Sequence, residues 1–104
     1  MVALSTVATA EDAERLARSL VEKGVAACVN IVPSVVSVYR WQGAVERAPE
    51  LLLVIKTTGE RFEELKATLV AQHPYDVPEL IAIPVAAGHE AYLEWLADSV
   101  RVTS

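Results

Sequence analysis

The chain has 104 residues, 53% of them hydrophobic, with few glycines and prolines and a net charge of −5. That length and composition predict one globular domain spanning 1–104 and exclude a disordered chain. The acidic balance argues against nucleic acid as a partner, because phosphate recognition needs clustered Lys and Arg. Cys28 is the sole cysteine, so no intrachain disulfide can form and a cytoplasmic location is expected. No signal-peptide pattern and no apolar run of membrane-spanning length is present, so no membrane partner is expected.

Val2 to Ala8 is a β-branched run that suits a buried strand. Thr9 follows as a helix N-cap, with Asp12 completing a capping-box-like signature for a helix over 10–23. Ala13, Leu16, Ala17, Leu20 and Val21 recur at helical spacing, and Gly24 suits the left-handed position that ends the helix. Glu11 with Arg15 and Glu14 with Arg18 are spaced as i,i+4 ion pairs on the solvated face. Val25 to Trp41 reads as one long strand with a bend or bulge near Pro33, turning at Gln42-Gly43. Ala44 to Arg47 continues a hairpin, and Leu51 to Thr57 is apolar enough to be a central strand.

Thr57 and Glu60 form a second capping-box signature, after which Phe62, Leu65 and Leu69 repeat with helical period until Pro74. Glu79 to Val85 is the last strand, flanked by Pro78 and Pro84 as an edge strand would be. Gly88 opens a C-terminal helix with Tyr92, Leu93, Trp95 and Leu96 as its apolar stripe. The order βαββαβ plus a helix predicts an α+β, ferredoxin-like sandwich, with the first and third strands central. Two helices cover only one face of such a sheet. The strands are apolar on both faces, so the bare face predicts a partner, most economically further copies of the same chain.

The chemistry-bearing residues gather in His73-Pro74-Tyr75-Asp76-Val77-Pro78-Glu79, a corner that its prolines make stiff. His73 has two readings: a helix C-terminal cap, or a metal ligand or proton carrier supported by Glu79, Asp76 or Tyr75. Cys28 is either a small buried hydrophobe or a copper or redox thiol. Tyr39 and Trp41 serve packing and interfaces or form the aromatic wall of a ligand site. Lys56 is placed to pair with Glu79 or Asp76. Phosphate-binding glycine loops, zinc-ligand pairs and nucleophile elbows are missing, so neither an enzyme nor an organic cofactor is expected.

Ala27-Cys28-Val29-Asn30, Pro33, Ser37-x-Tyr39-x-Trp41-x-Gly43, Lys56-Thr57-Thr58, His73-Pro74-Tyr75-x-x-Pro78-Glu79-Leu80 and Tyr92-Leu93-x-Trp95 together resemble the CutA family of divalent-cation tolerance proteins. The resemblance implies a cytoplasmic homotrimer similar in architecture to the PII nitrogen-signalling proteins. It also implies a role in the response to metal ions, with copper or another divalent cation bound and no enzymatic reaction. The shared polar and aromatic set becomes Tyr39, Trp41, Lys56, His73, Tyr75 and Glu79, meeting in a cleft between subunits. Copper-binding relatives use a thiol on the first strand and a histidine pair before the Pro-Tyr, where this chain has Ser5 and Gln72. The resemblance therefore implies weak metal binding through His73 with Glu79. The alternative it leaves open is a PII-like trimer holding a small anionic or zwitterionic effector in the cleft.

Overall fold

The computed structural model describes residues 1–102, so the last two residues of the domain expected over 1–104 lie outside the described residues. Its elements are β1 (Val2–Val7), α1 (Ala10–Glu22), β2 (Cys28–Trp41), β3 (Ala44–Lys56), a 3-10 turn (Gly59–Arg61), α2 (Phe62–Gln72), β4 (Ile81–Ile83) and α3 (Glu90–Ser99). The strands form one antiparallel sheet ordered β2-β3-β1-β4, with the first and third strands central as the sequence predicts.

Local chemistry explains the element ends. Thr9 Oγ1 accepts the Asp12 backbone N–H at 3.1 Å, capping α1. The hydrogen bond from Arg15, ahead of that cap, holds the Asp12 carboxyl below its ordinary range. At the other end, Val25 N–H reaches the Leu20 carbonyl and Gly24 N–H the Val21 carbonyl. That paired closure needs a left-handed residue, and Gly24 supplies it with φ +70°. Gln42 and Gly43 both have positive φ, which matches the two-residue turn whose twist suits a hairpin. The expected bulge in β2 is present: the register against β3 shifts between Val32 and Val35, with Ser34 at φ 63°.

The core lies on the helix-covered face. Ala3 and Val7 of β1 and Leu53 and Ile55 of β3 are fully buried against Ala13, Leu16 and Leu20 of α1 and Leu65 and Leu69 of α2. Each large side chain so buried contributes about 1.5–3 kcal/mol. The alternate residues face the other way, and the register aligns Val2, Leu4, Leu52, Val54, Val32, Ile81 and Ile83 on the uncovered face. Ile81, Ile83 and Val32 are exposed there. Beyond Leu51, β3 has lost its partner β1, so Val35–Trp41 and Ala44–Glu50 run on as a two-stranded ribbon. Pro49 falls within that ribbon, where a missing N–H costs no ladder bond on the free edge.

Several sequence expectations are corrected. The long strand starts at Cys28, because Val25 and Ala26 complete the helix closure and join the core. The two segments expected after the turn are one continuous strand. Thr57 does not cap a helix: its hydroxyl is buried and donates to the Val25 carbonyl at 2.7 Å, tying β3 to the end of α1. Thr58 occupies the cap position, ahead of a 3-10 turn that precedes α2. Arg15 pairs with Asp12 rather than Glu11 and also donates to the Gln72 carbonyl of α2, while Glu14 and Arg18 pair as expected. The last strand shrinks to Ile81–Ile83, since only those residues find β1. In α3, Leu96 is buried beside Ala27 and Val100, but Tyr92 and Trp95 are exposed and face each other at 5.5 Å.

Candidate functional site

Where β1 ends and the ribbon begins, the uncovered face opens into a cleft of about 720 Å³. Thr6, Ser37, Tyr39, Trp41 and Glu50 line it from the sheet; Pro74, Tyr75, Asp76, Val77 and Glu79 line it from the loop after α2. Alternation places the sheet residues. Glu50 shares parity with Leu52, which pairs with Thr6, and the β2 bulge puts Val35, Ser37, Tyr39 and Trp41 on the same side as Glu50. Pro74 forces His73 out of helical geometry, to φ −72° and ψ 137°, so the chain leaves α2 and crosses the end of β1.

His73 fastens that crossing. It is 7% exposed, its Nε2 lies 2.8 Å from the Thr6 carbonyl, and its Nδ1 accepts the Tyr75 backbone N–H at 3.1 Å. The neutral Nε2–H tautomer satisfies both contacts, with Nε2 donating. The carbonyl it caps belongs to β1 and not to its own helix. Both ring nitrogens are engaged, so an incoming metal ion would have to displace the Tyr75 amide from Nδ1. The rings of His73 and Tyr75 meet edge-on with centroids 4.7 Å apart.

Tyr75 then donates its hydroxyl to Glu50 Oε2 at 2.7 Å. Burial, reinforced by that hydrogen bond to a carboxylate, raises the Tyr75 phenol above its ordinary range. Glu50 is only 7% exposed. It is the site residue that sequence reading missed, because a glutamate beside Pro49 at the mouth of an apolar strand looks like solvated surface. The only available signal was its parity with Leu52 once the bulge is placed.

The structure thus brings Tyr39, Trp41, Tyr75 and Glu79 together and sets His73 immediately behind Tyr75. Lys56 is not among them. It closes β3 six residues from Glu50, roughly 20 Å along an extended strand. Its ammonium donates to Asn30 Oδ1, so it pairs with neither Glu79 nor Asp76. Cys28 sits opposite Lys56 on the uncovered face, half-buried, and Ser5 points into the core on the other face. Among the described residues no three His, Cys, Asp or Glu side chains converge as metal ligands, and none of the residues lining the cleft is basic. Among the same residues no helix is long and apolar enough to cross a membrane.

Comparison with known proteins returns one consistent picture. Residues 1–99 match the family model described as CutA1 divalent ion tolerance protein. The divalent-cation tolerance protein CutA of Thermus thermophilus is 51% identical over 94% of this chain and 95% of its own length, and the solved Thermus structure superposes with a TM-score of 0.92. The chloroplastic CutA of Arabidopsis thaliana is 48% identical, over 97% of this chain and 56% of its own length. The structure of the periplasmic divalent cation tolerance protein CutA from Archaeoglobus fulgidus is 38% identical with a TM-score of 0.93, covering 96% of this chain and 97% of that one. The Thermus and Archaeoglobus relatives are named for divalent-cation tolerance, and the Arabidopsis protein is named CutA alone. The chain belongs to the CutA family of divalent ion tolerance proteins.

Proposed function

We propose that this protein contributes to divalent-cation tolerance as a cytoplasmic homotrimer that binds a divalent metal ion, copper foremost, weakly at the cleft. The observation that carries the reading is the cleft's charge: Glu50, Asp76 and Glu79 line it and no basic side chain does. Glu79 supplies oxygen ligands, and His73 becomes the nitrogen ligand by releasing the Tyr75 amide. The metal is cargo. A donor set this open, with a single imidazole and no thiolate, suits an ion that keeps part of its water shell. The trimer is supported by the bare apolar face and by the ribbon, since a two-stranded hairpin is marginal in water unless something packs on it. The cytoplasm is supported by the unpaired thiol of Cys28.

Calorimetric titration of metal-stripped protein with Cu(II), beside Zn(II) and the His73→Ala variant, tests the site. Saturable copper binding that weakens about tenfold or more in His73→Ala is expected. Affinity unchanged in the variant removes His73 from the site.

A second reading is favoured by the aromatic walls: a small-molecule effector trimer in which Tyr39, Trp41 and Tyr75 enclose an organic ligand. Lys56 of the same chain stands apart from this cleft, so in the trimer the basic partner of a small anionic or zwitterionic ligand would come from a neighbouring copy. A thermal-shift screen of metabolites tests it. Stabilisation by none of them at millimolar concentration eliminates the reading.

A further inference from the structure

We propose that Arg15 is a latch on His73: from α1 it fixes the end of α2, keeps the imidazole engaged within the chain and so sets how readily a divalent ion takes it. The inference rests on the reading of His73 as the nitrogen ligand of a metal ion, and it names what regulates that ligand. Its starting point is the C-terminus of α2. Pro74 has no N–H for the Val70 carbonyl, and the Tyr75 N–H, which in a continuing helix would bond to Ala71, goes to His73 Nδ1 instead. No basic residue stands in the last turn of α2. The cation at this negative helix end comes from the other helix, because Arg15 Nη1 donates to the Gln72 carbonyl at 3.1 Å.

The guanidinium is itself held. Its Nη2 donates to Asp12 Oδ1 at 3.1 Å, and the Asp12 backbone N–H is bonded to the Thr9 cap. One fork thus ties the first turn of α1 to the last carbonyl of α2, and it needs two donors at a fixed angle, which lysine lacks. The Gln72–His73 peptide is pinned at both ends, its carbonyl by Arg15 and its N–H by the Leu69 carbonyl at 2.8 Å. That plane carries His73 and aims its ring at the Thr6 carbonyl and the Tyr75 N–H. A metal ion needs Nδ1, so it selects the arrangement in which the Tyr75 amide has let go. Arg15 favours the other arrangement, and apparent affinity falls with the fraction of molecules that are open. α1 and α2 lie on the side of the sheet away from the uncovered face, so the latch is complete within one chain whatever covers that face.

The experiment joins two readouts on metal-stripped, full-length protein at one neutral pH: hydrogen exchange of the Tyr75 amide, followed by NMR, and calorimetric titration with Cu(II). Arg15 is half-exposed, so its replacement leaves the fold intact. Arg15→Ala should speed Tyr75 exchange several-fold and tighten copper by the same factor, since both scale with the open fraction. Arg15→Lys, which keeps the charge without the fork, should fall between parent and Arg15→Ala. Arg18→Ala removes an equal charge from the same helix and should change neither readout. A role in fold stability alone would lower the urea midpoint and leave both at the parent value. Tyr75 exchange unchanged in Arg15→Ala, faster exchange with copper no tighter, or an equal effect of Arg18→Ala each overturns the latch. His73-dependent copper binding that Arg15→Ala does not alter removes the latch and keeps the metal reading. Copper bound by neither protein removes the metal reading and the regulation with it, while faster Tyr75 exchange would still assign Arg15 to positioning the loop.

Discussion

Tyr75 is where residue chemistry reaches stability. Its phenol is raised in the folded state by burial and by the Glu50 carboxylate, so the neutral form is the one the fold favours. The stabilisation is fully present below the unfolded tyrosine value of about 10 and is lost as pH rises through the higher folded value. Denaturant midpoints measured from neutral pH upward should therefore fall above about pH 10 in the parent, and that component should be missing in Tyr75→Phe. Ser5 makes the opposite case. Its hydroxyl is fully buried and has no hydrogen-bond partner among the described residues. Ser5→Ala removes an unsatisfied polar group at little loss of volume, so it should stabilise by about 1 kcal/mol, read from the shift in urea midpoint. A destabilised Ser5→Ala would mean that the hydroxyl has a partner in the folded protein.

Among the elements, the boundaries obeyed local rules wherever the relevant bonds are local. Thr9 caps α1, Gly24 closes it, Pro74 ends α2 and Gln42-Gly43 turns the hairpin, each within a few residues of its cause. Gly24 offers a clean test. A Cβ there would meet nothing within 4 Å, so the cost of a substitution comes from φ +70° alone. Gly24→Ala should destabilise by about 1–2 kcal/mol and Gly24→Asn by less, since Asn tolerates the left-handed region. Equal losses for the two would point to packing instead of backbone strain. Where the deciding bond is long-range, local rules misled. Thr57 has the look of a cap, yet its hydroxyl serves Val25 on a distant turn, and β4 ends where β1 offers no further partner.

For the whole molecule, shape and assembly are one question. The radius of gyration is 14.3 Å and the extents are 45 × 27 × 22 Å, against about 13 Å for a compact domain of this length. The excess reflects the ribbon. Ile81 is 53% exposed on the uncovered face and outside the core, so Ile81→Glu should leave the fold intact while placing a charge at the proposed subunit contact. Light scattering is expected to show the parent as an oligomer and the variant shifted toward monomer. A parent that is monomeric at micromolar concentration removes the trimer from the reading of function.

Periodicity, capping residues, prolines and glycines determined the order of the elements and the β2 bulge, because each acts through bonds a few residues long, and the handedness of crossovers then fixed which strands are central. The family, too, was readable in the run of motifs from Ala27 to Trp95, whose spacing survives in one dimension. Tertiary structure alone decided the site. It buried Glu50 under Tyr75, engaged both nitrogens of His73 and kept Lys56 roughly 20 Å along β3 from the cleft. The physical reason is that desolvation and partner choice depend on which distant segments meet. Here a one-residue bulge and a loop crossing the end of β1 settle which carboxylate is enclosed and which cation is left outside.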